Sequence, residues 1–331
     1  MPEGPEVRRY ALQLQNALDG HEIIALTARN KAAKAWLLEH PARLVGRKIE
    51  RIRSHGKHLF GEIEGEIGFH CHLMMWGRWW IHGADENPEI DKRERARIVT
   101  SNAIAILTSA PVFNIFEGKP YQQIENLRTL GPDILPYDGP FDAGEFVARL
   151  KSRENLEKEI GAVLLDQRVA AGIGNYLRAD ALFFAQINPY ARVEQLSEAQ
   201  IARLCEHIPL IARRALAEAG VSIPPEMRER LLGDETLSYG GRIVEWAARH
   251  AVFRRTNLPC LVCGGAIKQK QQVVYPSRDG DAENEPENEK ARTIFFCPNC
   301  QNVDLETLVT PKKTRKKAVA KVATPVEEPS G

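Results

Sequence analysis

The chain has 331 residues, 43% hydrophobic and 27% charged, ordinary globular usage that excludes collagen-like, mucin-like and wholly disordered proteins. At this length two domains are expected rather than one. Net charge is only +1 (45 basic against 44 acidic residues), so bulk electrostatics announces no nucleic-acid partner. No apolar run approaches the roughly 20 residues of a membrane span. The opening Met1-Pro2-Glu3-Gly4-Pro5-Glu6 lacks the basic and apolar regions of a secretory signal, so a cytoplasmic, intracellular location is expected.

Residues 1 to about 135 read as β-rich with turns. An amphipathic helix is predicted over Pro5 to Leu18, with Val7, Leu14 and Leu18 as inward positions. Lys48 to Arg53 and Leu59 to Glu64 alternate with period two, and Ile67 to His72 and Ala103 to Leu107 are further strands. Short strands with turns between them predict a sandwich or barrel. The Pro- and Gly-rich stretch from Leu130 to Pro140 marks a boundary. Helical periodicity then covers Ala143 to Ser152, Leu156 to Leu165, Tyr176 to Ala185, Ser197 to Ala219 and Glu226 to Leu232. Ser197-Glu198-Ala199-Gln200 has the capping-box pattern. Three units result from this organisation: 1–135, 136–250 and 251–310, with a basic disordered tail over 311–331.

Of the six cysteines, Cys260, Cys263, Cys297 and Cys300 form two C-x-x-C pairs. In an intracellular protein such knuckles predict one structural zinc ion, with redox cysteines as the alternative. The 33 residues between the pairs exceed the usual ribbon spacing of about 15–20. The excess reads as an acidic loop near 277–291 at the tip of a β-hairpin with strands over Ala266 to Tyr275 and Thr293 to Phe296. Between Ser277 and Arg292 three basic residues face six acidic ones, giving −3, whereas the tail from Pro311 carries six basic against two acidic, giving +4. The tail either holds phosphates or is a solvated terminus. Cys71 and Cys205 read as buried small hydrophobes.

Three clusters could carry chemistry. Removal of Met1 would leave Pro2 with a free secondary amine, and an α-amino group, with a pKa of roughly 7.7–8.0, is partly unprotonated at neutral pH. Attack on a sugar C1′ or a carbonyl would give a cationic iminium, an electron sink, with the Glu3 carboxylate beside it for acid/base work. Ser54-His55-Gly56-Lys57-His58 places a lysine at a strand start. Gly172-Ile173-Gly174-Asn175 opens a helix whose backbone N–H groups, with the Asn175 amide, would suit a phosphate. It is neither a Walker sequence nor a convincing dinucleotide fingerprint.

In this order, Met1-Pro2-Glu3-Gly4-Pro5-Glu6-Val7-Arg8-Arg9, Gly56-Lys57, the block from Leu165 to Arg178 and the four-cysteine hairpin resemble the bifunctional DNA glycosylases of the formamidopyrimidine-DNA glycosylase/endonuclease VIII family. The resemblance covers roughly residues 1–302. Gly4, Arg8, Arg9 and Asn175-Tyr176-Leu177-Arg178 look more like the endonuclease VIII branch. The fold it implies is α+β and multidomain: an N-terminal β-sandwich flanked by helices, a helix–two-turn–helix domain and a C-terminal zinc β-hairpin. The activity it implies is base-excision repair by a glycosylase/lyase acting as a monomer on damaged double-stranded DNA.

The same resemblance implies roles for single residues. Pro2 matches the Schiff-base nucleophile, Glu3 the acid/base residue and Glu6 a supporting acid. Lys57 matches the proton donor of the elimination, Asn175 a backbone-phosphate ligand, and Arg292 the finger arginine that clamps phosphates as a bidentate fork. The flipped nucleotide leaves a hole, and His72-Leu73-Met74-Met75-Trp76-Gly77 lies at the family's wedge loop. Met75, flanked by Met74 and Trp76, is the candidate filler, unless these three are buried hydrophobes after a strand. The guanine-oxidation branch carries an Arg-Arg-Phe turn where this chain reads Ala110-Pro111-Val112-Phe113-Asn114-Ile115-Phe116, which favours oxidised pyrimidines. The alternatives are an 8-oxoguanine and formamidopyrimidine glycosylase with the same residues, and a non-catalytic damaged-DNA-binding protein. Because phosphates repel the acidic insert, it should point away from the duplex. Deleting Asp279 to Lys290 is therefore expected to leave DNA affinity unchanged in a salt-matched binding titration, and altered affinity would refute that orientation.

Overall fold

In the computed structural model, residues 2–234, 247–274, 290–306 and 308 are described. The elements begin with α1 (Gly4–Leu18), β1 (Ile23–Ala28), α2 (Lys31–Glu39), β2 (Ile49–His55), β3 (His58–Ile63), β4 (Ile67–His72), β5 (Arg78–Gly83), β6 (Glu94–Thr100), β7 (Ala103–Thr108) and β8 (Val112–Glu117). Helices come next: α3 (Pro120–Gln123), α4 (Glu125–Thr129), α5 (Ala143–Leu150), α6 (Ile160–Val163), α7 (Asn175–Phe184), α8 (Glu198–Ala217) and α9 (Pro225–Leu232). The hairpin β9 (Lys268–Val274) and β10 (Lys290–Phe296) comes last. The basic tail and residues 277–289 of the acidic insert lie outside the described residues. No helix among the described residues is long and apolar enough to cross a membrane.

The first strands form two antiparallel four-stranded sheets, ordered β1-β6-β7-β5 and β2-β3-β4-β8. Their facing side chains, Leu59, Phe69, Cys71 and Phe113 from one sheet with Trp79, Ile98, Ala105 and Leu107 from the other, share one core. Helix α1 closes that core with Val7, Ala11, Leu14 and Leu18, a stripe at helical spacing. This is the expected sandwich flanked by helices. The helical unit packs α5, α7 and α8 around Phe146, Leu177, Leu182, Leu204 and Ile208, and Ile134 and Leu135 of the connecting stretch join it. The hairpin packs Ile294, Phe295 and Phe296 on Ala179 and Phe183 of α7.

Four predicted strands lie within a residue or two of β2, β3, β4 and β7, whereas β1, α2, β5, β6 and β8 were not anticipated. Strand β6 shows why. Its inward positions are Glu94, Ala96, Ile98 and Thr100, so a true period-two burial is hidden by polar and small residues. Glu94 is tolerated there because Arg97 donates to it at 2.8 and 3.2 Å. The helix expected over Leu156 to Leu165 is corrected to one turn, α6, because Glu159 instead pairs with Arg192 in an isolated bridge.

Two turns emerge side by side from the second sheet. His58 opens β3 opposite His72, which ends β4. The Gly56-Lys57 turn and the Leu73–Gly77 turn therefore leave the same end of that sheet.

Candidate active site

Proline at the start of α1 fixes a helical φ without wasting an N–H, so the chain enters the helix at residue 4 with Pro2 and Glu3 projecting from its N-terminal end. Glu6 reaches back and accepts from the Glu3 N–H at 2.8 Å. The Glu3 carboxylate points the other way, into the start of α7. Its oxygens accept from the N–H groups of Gly174 (2.9 Å), Tyr176 (2.9 Å) and Leu177 (3.2 Å). The backbone is pinned as well, with Gly4 N–H donating to Gly172 C=O at 2.9 Å.

The helix start read from sequence as a phosphate cradle is thus filled by an anion of the chain itself. The physics is the one expected, oriented N–H donors and the positive end of a helix dipole, but the occupant is a carboxylate on α1. Burial pushes the Glu3 carboxyl up to about 7, against the pull of the Lys57 charge and the Tyr176 and Leu177 N–H groups, with the neighbouring Glu6 adding to the rise. A carboxyl poised there can hold or give a proton at neutral pH. Glu6 is likewise raised by burial, while the Glu3 N–H and the Tyr176 hydroxyl, donating at 3.1 Å, oppose the rise.

Lys57 is half-buried on the β2–β3 turn, close enough to Glu3 for its charge to act there. That turn requires glycine at 56: φ is +54°, and a Cβ would stand 2.9 Å from the Ala171 Cβ and the Gly172 nitrogen. Asn175 is half-buried in the first turn of α7, and its Nδ2 donates to Thr293 C=O at 3.0 Å. Arg292, the residue before, stands exposed on β10 beside that contact. Pro2, Glu3, Glu6, Lys57, Asn175 and Arg292 are therefore brought to one region, where the sandwich end, the α7 N-terminus and the hairpin meet.

The turn after β4 is not buried. Met74, Met75 and Trp76 are 37%, 54% and 73% exposed, with Met74 at φ +49° and its N–H donating to His72 Nδ1 at 3.2 Å. The turn shares the sheet end with Lys57.

The four cysteines converge, all sulfurs lying within 4.8 Å of one another. Cys260 and Cys300 are 3.7 Å apart and Cys263 and Cys297 3.5 Å. A tetrahedral zinc–thiolate site with bonds of about 2.3 Å has sulfur–sulfur edges of about 3.8 Å, so the set fits one such metal.

Several residues of the region were not anticipated. Arg178, wholly buried, donates to Gly161 C=O, Gln272 Oε1, Asn175 Oδ1 and Thr293 C=O. Gln272 in turn donates to Glu159 and Pro189 C=O. Tyr176 reads in the sequence only as part of the Leu165-to-Arg178 block, and its hydroxyl contact depends on a fold that spacing does not reveal.

Residues 1–109 match the formamidopyrimidine-DNA glycosylase N-terminal domain and residues 130–225 the formamidopyrimidine-DNA glycosylase H2TH domain. The chain is 28% identical to Endonuclease 8 of Salmonella arizonae over 301 residues, covering 91% of this chain and all of that one. Endonuclease 8 of Klebsiella pneumoniae is also 28% identical, over 303 residues with the same coverage. Among solved structures, MutM in complex with DNA containing carbocyclic 8-oxo-G superposes with a TM-score of 0.66 at 25% identity, covering 91% of this chain and all of that one. The chain belongs to the formamidopyrimidine-DNA glycosylase/endonuclease VIII family. Within it, the chain is endonuclease VIII-like.

Gly174 tests the central contact. Its backbone (φ −127°, ψ −155°) suits any residue. A Cβ there would nevertheless meet the Glu3 Cδ at 2.3 Å. Gly174→Ala is expected to destabilise by about 1–3 kcal/mol, and the cost should shrink when Glu3 is also alanine, in a denaturant double-mutant cycle. Equal cost in both backgrounds would show that the carboxyl does not impose the glycine.

Proposed function

We propose that the chain is a DNA glycosylase and abasic-site lyase of base-excision repair, excising oxidised pyrimidines through a Schiff base on Pro2. The observation that carries this is the Glu3 carboxyl, buried directly beside Pro2, clasped by the α7 N-terminus and within the field of Lys57. The carboxyl has a structural purpose there, since it accepts from the N–H groups of the α7 start, and burial pushes its pKa up to about 7. Beside an amine nucleophile it has a chemical one as well.

The Pro2 amine, freed by removal of Met1, attacks C1′ of a nucleotide flipped from the stack. The glycosidic electron pair leaves with the base, which Glu3 protonates. The amine proton is lost and the C1′–O4′ bond breaks with a proton passing to O4′, so the ring opens to an iminium. This acidifies the C2′ proton, whose loss expels the 3′ phosphate; δ-elimination at the 5′ side is a further step. Lys57 supplies a proton during elimination. Arg292, with Asn175 holding its strand against α7, binds the flanking phosphates. Met75, between Met74 and Trp76, fills the vacated stack, as its exposure at the Lys57 end of the sheet supports. One structural zinc on Cys260, Cys263, Cys297 and Cys300 orders the hairpin that carries Arg292. Residues 1–135, 136–250 and 251–310 act as three units of a monomer on damaged double-stranded DNA.

The pyrimidine preference is supported by the connection between β7 and β8. Only residues 109–111 link these strands, and no arginine lies among them.

Borohydride trapping on duplexes carrying 5-hydroxyuracil, thymine glycol or 8-oxoguanine tests the proposal. An adduct is expected on the pyrimidine lesions, weakened or abolished by Pro2→Gly, while Glu3→Gln loses base release. Adducts on 8-oxoguanine alone would move the chain to the other lesion class, and binding without adducts would make it a damage-binding protein. Base release should fall as pH rises through about 7, where the Glu3 carboxyl loses its proton. A rate flat across that range would remove Glu3 as the acid.

Metal removal gives a separate check. A strong chelator is expected to weaken affinity for abasic-site duplex at least tenfold while the sandwich keeps its own melting transition, because the ion organises only the hairpin. Unchanged affinity and cleavage after verified metal loss would refute this role of the ion.

A further inference from the structure

Behind the Glu6 carboxylate lies a second cluster of polar groups that the glycosylase and lyase chemistry does not use. Asp180 on α7 is wholly buried, as is Ser222 on the segment between α8 and α9. The Asp180 Oδ1 accepts from the N–H groups of Val252 (3.0 Å) and Phe253 (3.3 Å), and the Ser222 hydroxyl stands against Oδ2. Into this pair fits His250, whose Nδ1 is 2.9 Å from Ser222 Oγ and 3.3 Å from Asp180 Oδ2. The hydroxyl also stands 3.0 Å from Arg249 C=O, and its single hydrogen goes to one of these two oxygens; Nδ1, facing Ser222 Oγ and the Asp180 carboxylate, is then the donor. One face of the imidazole lies against Tyr176, with centroids 4.9 Å apart, and Phe253 meets it edge-on at 5.1 Å.

Tyr176 is also the residue whose hydroxyl donates to Glu6 Oε1, and Glu6 Oε2 accepts the Glu3 N–H. Signs alternate from the interior outward: Asp180 negative, His250 positive when protonated, Glu6 negative, then the Glu3 carboxyl. We propose that His250 is a positioning residue of the active site, clasped by Asp180 and Ser222 and lying on Tyr176, where its imidazolium keeps Glu6 a carboxylate and so holds the Pro2–Glu3 peptide and the protonated state of Glu3. The inference rests on the proposed glycosylase/lyase function only for its enzymatic arm.

The neighbouring charges agree. Burial opposes ionisation of Asp180, yet His250, Ser222 and the Val252 N–H hold its carboxyl below the ordinary value. Burial raises Glu6, and the Glu3 N–H, the Tyr176 hydroxyl and the His250 charge all pull it down. Glu6 in turn raises Glu3, which Lys57 opposes. Among the described residues, Asp180, Tyr176 and Glu6 face His250, with Glu3 and Lys57 beyond Glu6; Arg249 precedes it in the chain. Loss of the imidazolium therefore lets Glu6 take up a proton at higher pH. A neutral Glu6 no longer raises Glu3, so Glu3 gives up its proton at lower pH.

The test uses the full-length protein with His250→Asn, which keeps a donor where Nδ1 stands but carries no charge, beside His250→Phe, which keeps only the ring. Both are expected to move the alkaline limb of base release to lower pH by about one unit, with His250→Asn melting and binding abasic duplex as the wild type does. If the His250→Asn profile superimposes on the wild type, the role is merely structural and the proposal falls. A second arm needs no activity: in a carboxyl NMR titration, the Glu6 midpoint should rise in His250→Asn relative to the wild type. An unmoved midpoint overturns the proposal. A wild-type chain that cleaves no lesion duplex would sink the proposed function, while the NMR arm would still decide this inference.

Discussion

The arrangement depends on one contact, the Glu3 carboxylate on the N-terminus of α7. It joins the third residue of the chain to a helix about 170 residues later, and it sets three constraints at once. The anion satisfies N–H groups that a helix start otherwise leaves without partners. It requires glycine at 174, where any side chain would occupy the space of the carboxyl. It fixes the sandwich against the helical unit at the point where Pro2 emerges. A lysine on the next turn and a second carboxylate behind complete an environment in which Glu3 is neither free to ionise fully nor forced neutral.

The hairpin is held by a different device. Arg178, buried in α7, presents its guanidinium to carbonyls and amides on both sides, tying Gly161 to Thr293 and Gln272. A guanidinium suits this because its donors are planar and fixed, so several acceptors can be met without strain. The four-cysteine cluster sits at the far end of the same hairpin and organises its knuckles, while Arg178 and Asn175 fix its near end against the site. The cysteine cluster and the buried arginine thus act on different parts of one element.

Much of this was legible in sequence. The helix stripe of α1, the strands β2, β3, β4 and β7, the capped start of α8 and the paired C-x-x-C knuckles carry local signals that tertiary packing reinforces. What escaped did so for identifiable reasons. Strand β6 hides its period behind Glu94 and Thr100, and the predicted helix at Leu156 yields to a bridge with Arg192 that no local pattern announces. The Gly-rich turn reads as an anion site, yet its partner lies on α1, and long-range pairing of that kind is invisible without a fold. The Met74–Trp76 cluster after β4 allows two readings in sequence, and exposure of Met75 and Trp76 excludes the buried one.

The position of the charged groups also explains why a chain with almost no net charge can present a site for a polyanion. Its negative groups at the site are turned inward: Glu3 onto a helix start, Glu6 onto a tyrosine and a backbone N–H, Asp180 onto backbone and serine. Its positive groups, Lys57 and Arg292, stay at or near the surface. Coulomb interactions with solvent-exposed phosphates are screened over about 8–10 Å at ordinary salt, so the local distribution of charge decides the field a duplex meets, and the sum over the chain does not. Inward carboxylates are costly unless each is matched by donors, which is why this end of the molecule is dense with glycine turns and helix termini that expose N–H groups. The same requirement that admits the buried acids therefore shapes the backbone around them.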